Sequence, residues 1–72
     1  MQNVPISTPT IKLGQFLKYA GIVDTGGAIK TFLATHSIKV NGLVEARRGR
    51  HLILGDEVEV DGIGYRLIAD AD

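Results

Sequence analysis

Cysteine and tryptophan are absent from this chain. The first absence excludes a disulfide-stapled miniprotein, a thiolate zinc site and a cysteine nucleophile. Aromatic residues are scarce as well, with only Phe16, Tyr19, Phe32 and Tyr65. The phenylalanines fall on apolar helical stripes and read as core. Neither tyrosine sits in an exposed aromatic run, so the stacking platform of a single-strand reader is not expected. No apolar run approaches the roughly 20 residues of a membrane span. Met1 to Thr10 holds no basic residue and no apolar h-region, so a signal peptide is not expected. The expectation is a soluble, cytoplasmic protein without a membrane partner.

Net charge is lacking too. Eight basic side chains balance eight acidic ones over 72 residues, but they are not mixed. Residues 1–50 carry seven basic and two acidic groups, a net +5, and residues 51–72 carry one basic and six acidic, a net −5. Such a split points to an anionic partner for the basic part, or else to a dipolar surface with none. At 44% apolar the composition is globular, with room for one modest core. A single domain over residues 1–72 is expected.

The hydrophobic pattern gives a coarse architecture. Val4, Ile6, Thr8 and Thr10 alternate with their neighbours like a strand, which Pro5 and Pro9 demote to an edge. Leu13, Phe16, Leu17 and Ala20 share one helical face, with Thr10 as the expected cap and Gly21 as the stop. Gly14 weakens that helix by about 1 kcal/mol relative to Ala and suggests that another backbone packs close. Ala28, Ile29, Phe32 and Leu33 form a second stripe, capped by Asp24 or Thr25 and fading near His36. Gly26 and Gly27 leave its first turn bare, with N–H groups open to water or an anion. The period then changes to two. Ile38 and Val40 precede Asn41-Gly42, a hairpin turn signal, and Leu43 to Ala46 is the return strand. Arg47 to His51 reads as a loop and Gly55-Asp56 as a turn. Val58 and Val60 mark a strand, Asp61-Gly62 a second tight turn, and Ile63 to Ile68 the last strand before a short polar tail from Ala69 to Asp72. Two segregated helices followed by hairpin-connected strands predict an α+β fold with an antiparallel sheet.

Among the groups that carry chemistry, the basic set is the most informative. Arg47, Arg48 and Arg50 lie within four residues, where guanidiniums repel unless an anion or solvent compensates, and Arg suits bidentate phosphate contact. Lys12 and Lys30 join the same face if the helices pack side by side, and Lys39 points away from the core. The competing reading is a solvated loop with scattered surface lysines. His36 and His51 have no carboxylate pair in ligand spacing; the plain reading makes His36 a helix-end residue and His51 one more polar group of the basic loop. Glu57, Glu59 and Asp61 on one strand face resemble a cation site but read better as a solvated outer face that keeps an anionic partner away. No nucleophile–base pair, cofactor loop or sizeable pocket is indicated, so an enzyme is not expected and no cofactor is called for.

These residues together resemble a family. Leu13, Phe16, Leu17 and Gly21, then Ala28, Lys30 and Leu33, then Ile38-Lys39-Val40-Asn41-Gly42 and finally Gly55-Asp56-Glu57-Val58-Glu59-Val60 resemble the S-four-type RNA-binding domain, or alpha-L motif, with a motif core over 12–60. Leu13 to Lys18, Gly26-Gly27 and Arg47-Arg48-Gly49-Arg50 are similar to its small stand-alone YaaA-like branch. The resemblance implies two short helices on a small, bent antiparallel sheet. It also implies binding of structured RNA, ribosomal or transfer, with a ribosomal subunit or its precursor as candidate partner. The residues it assigns to RNA are Lys12, Lys30, Lys39, Arg47, Arg48 and Arg50, and His51 joins them through the loop. Two departures matter: Thr25-Gly26-Gly27 replaces the Ser-Arg pair that often opens the second helix in the family, and Lys12 stands where other members carry a different residue. A protein–protein adaptor is the second reading, with the basic loop docking an acidic protein and the edge strand near Val4 to Thr8 pairing with a partner or a second copy.

Overall fold

Residues 1–70 are described in a computed structural model. The elements are β1 (Gln2–Ile6), β2 (Thr10–Lys12), α1 (Leu13–Tyr19), a 3₁₀ turn (Gly26–Ala28), α2 (Ile29–Thr35), β3 (Ile38–Val40), β4 (Leu43–Val44), β5 (His51–Ile53), β6 (Glu57–Val60) and β7 (Ile63–Ala69). Five strands form one sheet in the order β1-β7-β6-β3-β4, and β2 and β5 form a separate antiparallel ribbon. The α+β class and the antiparallel β3-β4, β3-β6 and β6-β7 pairs agree with the sequence pattern. The N-terminal strand adds a feature the pattern did not contain: β1 lies at an edge, as its proline requires, but pairs parallel to β7, which makes the sheet mixed. The strand ends at Ile6, so Ser7 and Thr8 lie outside it.

One face of the sheet is buried by the helices. Ile38, Val40, Val58, Val60, Leu67 and Ile6 meet Leu13, Phe16 and Leu17 of α1 and Ile29 and Leu33 of α2, and Leu52 of the ribbon closes the cluster. Phe16 is fully buried and takes the edge of Tyr65, with ring centroids 6.2 Å apart. Phe32 is partly buried; it packs against the edge of the core and stacks on His36 at 3.9 Å.

Several boundaries differ from the sequence expectations, and at Thr10, His51 and Asp61 a tertiary partner takes the residue. Thr10 belongs to β2, and the cap position of α1 falls on Lys12, whose N–H donates to Gln15 Oε1 at 3.2 Å. His51 opens β5 opposite Lys12 and is not part of the loop. Asp61 lies beyond β6 in a left-handed turn with Gly62 (φ 49° and 88°), so it does not share a strand face with Glu57 and Glu59. The return strand β4 stops at Val44, two residues short of Ala46. Ala69 completes β7, while Ala71 and Asp72 of the expected tail lie outside the described residues.

The two turns of the Val40-Asn41-Gly42 and Gly55-Asp56 segments are bonded to each other. Asn41 Nδ2 donates to Asp56 Oδ1, and the Glu57 N–H donates to Asn41 Oδ1, both at 3.0 Å. Asp56 Oδ2 accepts the Ile53 N–H at 2.9 Å. The spacing seen in the sequence is therefore a lock between a hairpin tip and the turn that enters β6.

Candidate nucleic-acid interface

The basic loop is held by the start of α1. A helix begins with N–H groups that have no partner inside it. Here the Leu13 N–H donates to Arg50 O at 2.8 Å and the Gly14 N–H to Arg48 O at 2.9 Å. Gly14 makes this docking fit. A Cβ at that position would stand 3.2 Å from both Arg48 Cβ and Ile29 Cγ2, so the close approach expected there involves the arginine loop and α2 together. The backbone of residues 48–50 is thereby fixed while its side chains face outward.

Arg48 has no ion-pair partner among the described residues. It stands between two shallow hollows. One, of about 270 Å³, is lined by Lys12, Gly14, Gln15, Gly26, Ile29, Arg48 and Gly49. The other, of about 250 Å³, is lined by Lys30, Leu33, Ala34, Ala46 and Arg48. The packing thus brings Lys12, Lys30 and Arg48 to one surface. His51 is exposed beside Lys12, because residues paired directly across an antiparallel ribbon project to the same side.

Arg47 and Arg50 are placed differently. Glu45 folds back on its own loop and accepts from Arg47 Nε and Nη2, both at 3.1 Å, while Arg50 Nε lies 3.5 Å away. The same carboxylate accepts the Ala46 and Arg47 N–H groups at 3.1 Å. The Arg47 guanidinium, helped by these N–H groups, holds the Glu45 carboxyl down at about 2. For Arg47 and Arg50, two of the three neighbouring guanidiniums, the compensating anion is therefore supplied from within the chain. Sequence reasoning counted Glu45 as one acid of the basic half and missed this role; the available signal was its position two residues before Arg47.

Lys39 is not brought to this surface. It sits on the opposite face of the sheet, level with Glu59 on one side and Val44 on the other. That face also carries Glu57, paired to Arg66 at 2.6 Å. Two acids at turns, Asp56 and Asp61, have structural partners. Asp61 accepts the Ser37 N–H at 2.9 Å and lies 2.6 Å from His36 Nδ1. An ionised carboxylate only accepts, so Nδ1 carries the proton in that contact.

A family model described as an S4 domain matches residues 4–68. The chain belongs to the S4 domain family. Over 61 residues this S4 chain is 48% identical to a protein of Bacillus subtilis (strain 168) named as a probable ribosome maturation protein, RlbA, a match that covers 85% of this chain and 86% of the relative. The resemblance drawn from the helix stripes and the two turn motifs thus identifies the family correctly. The S4 match takes in both helices, the arginine loop and the two bonded turns, so the site described above lies within the matched segment. Among the described residues, no helix is long and apolar enough to cross a membrane.

Proposed function

We propose that this chain binds structured ribosomal RNA without catalysing a reaction, and that it acts in the cytoplasm on a ribosomal subunit or its precursor. The observation that carries the reading is Arg48: without an ion-pair partner among the described residues, fixed through its backbone to α1, and set between Lys12 and Lys30. Phosphate contacts of this kind position a folded RNA and supply most of the affinity. In the proposed footprint Lys12, Arg48 and Lys30 form the centre, His51, Arg47 and Arg50 the rim, and the whole of residues 1–72 acts as one binding unit around the 12–60 core. Lys39 is left outside it. The name of the Bacillus relative, a probable ribosome maturation protein, supports ribosomal over transfer RNA.

The test is fluorescence anisotropy with a structured ribosomal RNA fragment, duplex DNA serving as comparison. Three central phosphate contacts imply a salt slope near 2.7, so affinity falls on the order of 40-fold between 50 and 200 mM salt. RNA outcompeting DNA at both concentrations supports the proposal. An absence of RNA binding at low salt overturns it and directs attention to the basic loop as a docking site for an acidic protein.

A further inference from the structure

We infer that Glu45 occupies, within the free protein, the place that an RNA phosphate takes in the complex, and that binding exchanges one anion for the other. The inference rests on the RNA-binding reading above and deepens it. Five groups converge on this carboxylate: the Ala46 and Arg47 N–H groups, Arg47 Nε and Nη2, and at longer range Arg50 Nε. Two successive backbone N–H groups and a guanidinium fork make up an anion site of general type. The fork grips the two carboxylate oxygens in parallel, an arrangement that two non-bridging phosphate oxygens also satisfy.

The accessibility of the groups favours exchange. The Glu45 side chain is only 11% exposed, whereas that of Arg47 is 78% exposed. The guanidinium therefore presents an open outer face to an incoming strand while the carboxylate lies behind it. A phosphate added to Arg47 with Glu45 still in place would set two anions against one guanidinium, which is unfavourable. Displaced, Glu45 swings into solvent from an exposed loop, and a phosphate takes its place against the two N–H groups and the guanidiniums of Arg47 and Arg50.

This device confers selectivity. An anion that touches only the loop gains Arg47 and Arg50 but must first displace their internal partner. An RNA whose phosphates also reach Lys12, Arg48 and Lys30 meets the same cost with three further contacts. Glu45 is thus a specificity-determining residue, since it weakens binding of every anion and leaves only the best-matched one bound.

The experiment uses the full chain and the same ribosomal RNA fragment and duplex DNA. Glu45→Gln keeps a side-chain oxygen for the two backbone N–H groups and removes the charge. Glu59→Gln, on the far sheet face, measures the generic effect of removing one negative charge. Exchange requires that Glu45→Gln bind RNA about tenfold more tightly, well beyond the Glu59→Gln effect, and that its RNA-over-DNA preference narrow. It also requires that the gain vanish in an Arg47→Gln/Arg50→Gln background, where Lys12, Arg48 and Lys30 still bind RNA. A Glu45→Gln chain that binds equally or more weakly overturns exchange and makes Glu45 a fixed scaffold for the arginines. A gain equal to that of Glu59→Gln, or one that survives loss of both arginines, overturns it as well. If the wild-type chain and every variant fail to bind RNA at low salt, the RNA-binding reading itself fails and takes the exchange with it.

Discussion

Three arginines within four residues carry the same charge, but their surroundings divide them. Arg47 forks onto Glu45, Arg50 leans on the same carboxylate, and Arg48, with no ion-pair partner among the described residues, stands between Lys12 and Lys30. Arg48→Glu is therefore expected to weaken RNA binding by about tenfold to a hundredfold, since it removes a charge-assisted contact and adds a repulsion at the centre of the surface. Lys39→Glu is expected to change affinity by less than about threefold, because its neighbours across the strands are Glu59 and Val44 on the opposite face. Anisotropy titrations of the two variants against wild type check the pair, and equal losses would refute the one-sided surface. Neither substitution touches a buried group, so melting temperatures are expected to move little. Periodicity showed correctly that Lys39 points out of the core. The side of the molecule to which it points is settled by strand pairing, which no local pattern encodes.

At the scale of elements, the signals that were legible in sequence are those whose cause is local. Leu13, Phe16 and Leu17 define α1, and Val58 and Val60 define β6, because burial repeats with the period of the backbone. Asn41-Gly42 and Asp61-Gly62 mark turns because both positions of each take positive φ, a conformation these residue types tolerate. The misplaced residues have distant causes. Thr10 and His51 enter a ribbon between segments about 40 residues apart, and Asp61 leaves the strand to bond the end of α2. The bond between the two turns is the element-scale feature with the clearest cost. Asn41→Ala loses both amide hydrogen bonds and forces alanine into φ near 51°, for a total of about 2–4 kcal/mol. Asn41→Gly keeps the turn and loses only the hydrogen bonds, about 1–2 kcal/mol. Urea unfolding of the two variants separates the contributions, and an alanine variant as stable as wild type would show that the lock carries no weight.

Gly14 links the elements to the binding surface. Alanine there gains about 1 kcal/mol of helix propensity but crowds Arg48 and Ile29 at 3.2 Å. The arginine loop is exposed and yields more easily than the core, so the fold should persist while the loop shifts from α1. Gly14→Ala is accordingly expected to leave unfolding free energy within about 1 kcal/mol of wild type and to lower RNA affinity several-fold. Unfolding and anisotropy measured on the same sample decide the matter. A parallel loss of both would place the role of Gly14 in the core instead of in the loop docking.

For the whole molecule, the −5 of residues 51–72 proves to be more than a solvated counterweight. Asp56 and Asp61 are fasteners, and Asp61 joins the end of α2 to the turn between β6 and β7. Its carboxyl lies below the ordinary aspartate value, chiefly through the hydrogen bond with His36 and then through the Ser37 N–H. A depressed carboxyl stabilises the fold fully above its unfolded pKa, and that contribution is lost as pH falls through the folded value. Glu45 behaves likewise between its ordinary 4.5 and about 2, but it secures an exposed loop. The two losses should therefore register differently. Thermal melts from pH 7 to pH 2 are expected to show stability falling once the pH drops below about 4, with a shallower fall in Asp61→Asn because one linked proton is removed. Hydrogen exchange at the Ala46 and Arg47 amides should accelerate, relative to its intrinsic rate, over the window from 4.5 to about 2 set by Glu45. With a single modest core, a 72-residue chain has little reserve against the loss of one such fastener. A melting profile for Asp61→Asn that parallels wild type at every pH would show that the α2 fastening is not what acid releases.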